Sequence, residues 1–254
     1  MTEEMRKYET LLRSYVMEHT EQVLKQPRSF IRYPFIDPGS VYDGNVWDWD
    51  TFWSVYGFLN LADRYENPAM KQRLIEHAKG NVYNFLDHQL DDGYIPMMIE
   101  VSKWPEPYLN MKHKEGVLMN MHKPFLCSQI CLISDFIGDY GWIAPHVPAL
   151  ERYFACYDKY YYFENCGLYV WRDDIMIGMD NDPATFGRPK SSTANIFLNS
   201  FMCVELKAME RICRRFSLTE KAGAYRKKGK SWSRAFRRNA GINGTDFFIP
   251  QTRM

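Results

Sequence analysis

This chain lacks most of the short signatures by which enzymes announce themselves. No glycine-rich phosphate loop appears, and no run alternates strongly enough between polar and apolar to predict a sheet. The six histidines form no HExxH or other clustered ligand pattern, so metal catalysis has no support and no cofactor is expected. The six cysteines, at 127, 131, 156, 166, 203 and 213, contain no CxxC pair and no metal-ligand spacing. Cys127 and Cys131 are four apart, which on a helix is one face rather than a disulfide frame. Lysine plus arginine number 32 against 31 aspartate plus glutamate, so no bulk basic field points to nucleic acid. The amino end, MTEEMRKYETLLRS, is polar and has no apolar segment of signal-peptide or membrane-span length. No membrane association is therefore expected, and reduced, buried thiols in a cytoplasmic protein are.

What is present is globular. Of 254 residues, 46% are hydrophobic, 25% charged and 16% aromatic, the last a high share. That length can bury a core, as one large domain or as part of a larger one. Helical periodicity recurs. Tyr8, Leu11, Leu12, Tyr15, Val16 and Val23 fall on roughly one side of a helix over 2–26, and Phe52, Val55, Tyr56 and Leu59 mark a second. Leu74, Ala78, Val82 and Phe85 mark a third. Helices near 124–138 and 146–162 follow, then a stripe of Leu198, Met202, Leu206, Met209, Cys213 and Phe216, and another helix from Leu218. Long loops follow the first, third and fifth of these, at about 27–47, 91–123 and 163–192. Alternate long connections suit a ring of helical hairpins with its functional loops gathered at one end. Seven helices do not close a double ring, which needs twelve and roughly 400 residues. The expected fold is all-α, an incomplete (α/α)6 barrel.

Each long loop carries a polar or aromatic cluster. VWDWDTFWSVYGF, at 46–58, puts Trp47, Trp49 and Trp53 beside Asp48 and Asp50. Flat aromatic faces next to carboxylates suit sugars, whose rings stack and whose hydroxyls donate to acids. A tryptophan-rich core helix with solvated aspartates at its start is the alternative. MNMHKPFLCSQ places His122 and Lys123 just before a helix that Pro124 can open, either pointing into a pocket or forming an ordinary solvated turn. VWRDDIMIGMDNDPATFGRPKSS holds Asp173, Asp174, Asp180 and Asp182 within ten residues, with Gly178 and Pro183 shaping the turn. A carboxyl in such a constrained loop can serve as a general acid. Asp-rich loops are also simply good turns, and the spacing does not fit an EF-hand.

Taken together, WDWDTF, then HKP at a helix start, then GMDNDP before a long helix resemble glycoside hydrolase family 63, with its trehalase relatives in family 37. The resemblance covers residues 30–216. It implies an (α/α)6 barrel and hydrolysis of an α-linked glucoside or mannoside with inversion. Asp180 matches the family's general acid, flanked by Gly178 and Asn181. Trp49 and Asp50 match the pair lining the sugar subsite beside the cleaved bond, with Trp47, His122 and Lys123 as further substrate-binding candidates. Lys123 stands where glutamine is usual and could meet a carboxylate on the aglycone, such as glycerate. Ile177 replaces a serine, Asp182 sits where serine is common, and Phe197 replaces an aspartate ahead of Leu198 and Asn199.

An inverting glycosidase needs a second carboxylate about 6.5–9.5 Å from the acid to activate water. The family's base comes from the C-terminal part of the barrel and has no match here. Residues 1–220 read as the partial catalytic domain, and 221–254 as an atypical basic tail with nine Lys/Arg and one acid, Asp246. Back-translation of AGINGTDFFIPQT, 240–252, read from the third base of the alanine codon, allows W-D-K-R-D-G-F-F-Y-S-A-D. That string resembles the family's segment at this point, so a one-base frame error beginning between about 221 and 239 is expected. The alternatives are a non-catalytic carbohydrate-binding protein or inactive remnant, and a sugar epimerase with His122 as one acid–base. Self-association through the open side of the ring is also expected.

Overall fold

The computed structural model describes residues 2–39, 42–62, 67–102, 104–173, 177–178 and 185–239. Eight α-helices run through them: α1 (Glu3–Val23), α2 (Asp48–Ala62), α3 (Pro68–Asp87), α4 (Tyr108–Lys114), α5 (Leu126–Ile137), α6 (Val147–Tyr160), α7 (Ile196–Arg215) and α8 (Thr219–Asn239). Three antiparallel pairs of two-residue strands join the connections: β1 (Leu24–Lys25) with β2 (Phe35–Ile36), β3 (Val46–Trp47) with β4 (Met98–Ile99), and β5 (Tyr162–Phe163) with β6 (Leu168–Tyr169). The fold is all-α, as the periodicities predict. The seven-residue α4 falls inside the stretch read as loop, and the strands are too short to show alternation. None of the described helices is long and apolar enough to cross a membrane. All six cysteines are free and five are buried.

Local chemistry sets the helix limits. Thr2 caps α1 by accepting from the Met5 N–H at 3.2 Å. Asn67 caps α3 ahead of Pro68, and Asn195 caps α7 by accepting from the Phe197 N–H at 2.7 Å. Gly138, at φ +74°, closes α5 in the left-handed region.

Packing centres on α5, which lies against α7, α3 and α2, while α7 carries α8 on another side. The expected α7 stripe is buried from Leu198 through Met202, Leu206 and Met209 to Cys213. Each such side chain contributes about 1.5–3 kcal/mol by leaving water. The loop before β2 is moulded onto α3. Asn84 accepts from the Arg32 and Tyr33 N–H groups, and Asn81 from that of Ile36 at 2.7 Å.

Two helices bear on the remaining expectations. On α1 the apolar stripe faces outward: Met5, Tyr8, Leu11, Leu12 and Tyr15 are all exposed, and only Thr20 is buried. The last turns of α1 meet the body of the protein through β1 and through Glu21, which pairs with Arg73 of α3 at 2.6 Å. The basic stretch from 221 is in part an amphipathic helix, since α8 buries Ala222, Trp232 and Phe236. Residues 240–254, on which the shifted reading was made, lie outside the described residues.

Candidate functional site

The starts of α2 and α5 meet at one ion pair. Asp48, the first residue of α2, is fully buried, and its Oδ1 lies 2.8 Å from Lys123 Nζ. Its Oδ2 accepts the Lys123 backbone N–H at 2.6 Å, and its Oδ1 also accepts the Trp49 N–H at 2.6 Å. A carboxylate at the amino end of α2 also faces the favourable end of the helix dipole. The sequence motif offers two aspartates, and this is the one that clamps the loops together. Asp50, the expected sugar ligand, is half-buried in the first turn of α2.

Other contacts fix the same junction. The β3–β4 pair sets Trp47 opposite Met98, and the Asp48 N–H donates to Met97 O at 2.9 Å. From below, α6 supplies Tyr157 Oη, which donates to His122 O at 2.7 Å, and Tyr153 Oη, which donates to Lys123 O at 2.8 Å. The HKP turn is thus gripped on its backbone as well as through its lysine.

This geometry corrects two expected roles. Lys123 is only 2% exposed, and its charge is already matched by Asp48. An aglycone carboxylate would have to displace Asp48 to reach it, and that would leave a buried charge unpaired. His122 is fully buried in the core, its ring edge-on to Phe85 with centroids 4.5 Å apart. Its Nδ1 lies 2.7 Å from Lys123 O, a carbonyl that can only accept, so Nδ1 carries the hydrogen. Burial lowers the His122 pKa and keeps the ring neutral. It packs between Phe85 of α3 and Tyr153 of α6, a buried place that does not suit the acid–base of the epimerase reading.

The third loop reaches this junction at Gly178. A Cβ built there would lie 2.6 Å from Trp49 Cε3 and 3.0 Å from Lys123 Cε, and the residue has φ +84°. Both observations demand glycine. The loop is anchored at both ends. Asn120 accepts from the Arg172 N–H at 2.9 Å, and Lys190 Nζ lies 2.9 Å from Asp173 Oδ2. Asp173 therefore staples the loop, whereas Asp174, Asp180, Asn181, Asp182 and Pro183 lie outside the described residues.

Around Trp49 the side chains are aromatic. Its ring meets Trp53, Phe125 and Phe201 at centroid distances of 5.8, 5.5 and 5.9 Å. Phe52 stacks on Phe125 at 4.7 Å, and Trp53 keeps 42% of its surface exposed. Trp47 is half-buried, with its ring edge-on to Tyr42 at 5.7 Å. Sequence reading missed Phe125 and Phe201, which follow the HKP turn and open α7 on the same side. Their signal was present: aromatic residues within the first two turns of two predicted helices.

A second buried carboxylate lies deeper. Glu205, in mid α7, accepts from the Ser128 N–H at 3.0 Å and the Ser128 hydroxyl at 2.8 Å, and also from the Cys127 N–H. It thereby satisfies free N–H groups in the first turn of α5. Burial raises its pKa to about 7, against the lowering effect of these donors. Among the described residues, no three metal-ligating side chains come together.

Neither a protein-family model nor a curated protein sequence matches the chain.

Proposed function

We propose that the chain is the amino-terminal portion of an inverting glycoside hydrolase acting on an α-linked glucoside or mannoside. In this reading the helices form part of an (α/α)6 ring, Asp180 protonates the leaving oxygen, and Trp49 and Asp50 floor the sugar site. The observation that carries it is the meeting of three distant stretches. Trp49 from WDWD and Lys123 from HKP both lie against Gly178, two residues before Asp180. A resemblance built on three separated motifs requires them to converge, and nothing in helix periodicity alone does. The packing of α5 on α2, α3 and α7 also suits one sector of such a ring. With Lys123 already engaged by Asp48, its role becomes holding the sugar floor, and a neutral aglycone fits as well as glycerate.

The base that the resemblance assigns to a later segment has no match among residues 1–254. Sugar binding is therefore the readout for this chain, and turnover the readout for a form carrying that segment. In the latter, Asp180→Asn should cut hydrolysis of poor leaving groups by about 10²–10⁴-fold and spare activated aryl or fluoride donors. Equal losses for both classes would show that Asp180 binds sugar or shapes its loop. Binding without turnover in the extended form would favour the carbohydrate-binding alternative. The outward apolar stripe of α1 supports self-association, for which the check is sedimentation velocity over a concentration series. A single monomer species at every concentration would dismiss it.

A further inference from the structure

The cations of α8 divide into two sets. On one side they are matched by acids of α6: Lys221 Nζ lies 2.7 Å from Glu151, and Lys228 pairs with Asp158. On the other side α8 and α7 enclose a groove of about 520 Å³. Lys207 of α7 and Arg226, Lys230, Arg234 and Arg237 of α8 line it, against one carboxylate, Glu210. Glu210 Oε1 is already shared, 2.8 Å from Arg214 and 2.9 Å from Arg226. Among the described residues, Lys207, Lys230, Arg234 and Arg237 make no ion pair, and all four are exposed. Four uncompensated cations facing one concavity repel one another, and a bound anion would turn that cost into attraction.

We propose that the groove between α7 and α8 binds a small polyphosphate anion, one carrying at least two linked phosphate groups. The volume lies within the roughly 300–1,000 Å³ typical of small-ligand sites. Along α8 the cations from 226 to 237 span about 16 Å at 1.5 Å per residue, more than a single phosphate can engage. Small residues leave the floor open. A Cβ at Gly229 would make only an ordinary contact with Leu206 of α7, 3.8 Å away, and Ser233 Oγ donates back to Gly229 O at 2.8 Å. Among the described residues the groove offers no platform for a nucleobase: the one aromatic residue that lines it, Tyr225, packs its ring against Phe154 at 5.2 Å. Recognition therefore falls on phosphate charge.

The test is calorimetric titration of the full chain with inorganic tripolyphosphate at low salt. The pair Lys230→Glu and Arg234→Glu should weaken binding at least tenfold. Arg6→Glu with Lys7→Glu, an equal charge change on exposed α1, should leave it within about twofold. If the reversed pair fails to fold, Lys230→Gln with Arg234→Gln makes the same comparison. Absence of binding would overturn the proposal, as would equal weakening by the α1 control. So would orthophosphate binding as tightly as tripolyphosphate. An affinity for single-stranded oligothymidylate that keeps rising with length beyond the groove would also overturn it, in favour of a nucleic-acid track.

Discussion

Asp48 and Glu205 are both fully buried, and each accepts three hydrogen bonds from the start of α5 or its own neighbour, yet they are held differently. Asp48 meets a cation, Lys123, as well as two backbone N–H groups. Glu205 meets only dipoles: two N–H groups and the Ser128 hydroxyl. A full opposite charge can offset the loss of water around a carboxylate; a few dipoles offset it in part. The loop end of the protein is thus joined by a pair that carries its own counter-charge. The middle of the α5–α7 contact is joined by a group free to take up a proton near neutrality.

The largest effect should come from breaking the first junction. Asp48→Ala leaves the Lys123 ammonium buried without a partner, which costs about 3–5 kcal/mol. Lys123→Met strands the carboxylate and should cost a similar amount. The double substitution removes both charges, and its loss should be well below the sum of the two. Urea unfolding of the four proteins provides the cycle. Additive losses would mean that Asp48 acts through its backbone contacts alone, and the contrast with Glu205 would then collapse.

Much of this was legible in the sequence, though unevenly. The α7 stripe reads directly from its spacing, because a helix that buries one face repeats its apolar residues every three or four positions. The three site motifs were also legible as clusters. Which member of a cluster turns inward was not. Asp48 and Asp50 are two apart and so leave α2 in different directions, and only the distant Lys123 decides which is buried. His122 and Lys123 are adjacent, and the backbone grip of Tyr153 and Tyr157 determines that one fills the core while the other reaches Asp48. On α1 periodicity gives the helix and its apolar side, and that side is exposed, since an apolar stripe shows that a helix can be covered and not that it is. Glu205 did leave a trace. It sits on the buried face between Met202 and Met209, where an acid is anomalous unless something inside needs it.

The smaller and more selective prediction concerns that acid. The folded protein raises the Glu205 pKa from its ordinary 4.5 to about 7. Below about pH 4.5 the group is neutral in both folded and unfolded chains and contributes no difference. Between there and about pH 7 the folded chain holds the proton more tightly, so stability falls as pH rises. Above about pH 7 the group is ionised in both states, and the fold carries the full cost of burying the charge. That gap corresponds to about 3 kcal/mol. Burial also raises the pKa of Asp37, which adds its own pH dependence. The informative quantity is therefore the difference between wild type and Glu205→Gln, measured by urea unfolding at several pH values. Glutamine keeps an acceptor for the Cys127 and Ser128 N–H groups and cannot ionise, so its relative stability should improve steadily between about pH 4.5 and 7 and level off above. A difference that stays flat with pH would show that the dipoles at the start of α5 hold Glu205 ionised throughout. Both buried carboxylates would then be fixed charges, one by a cation and the other by a helix end.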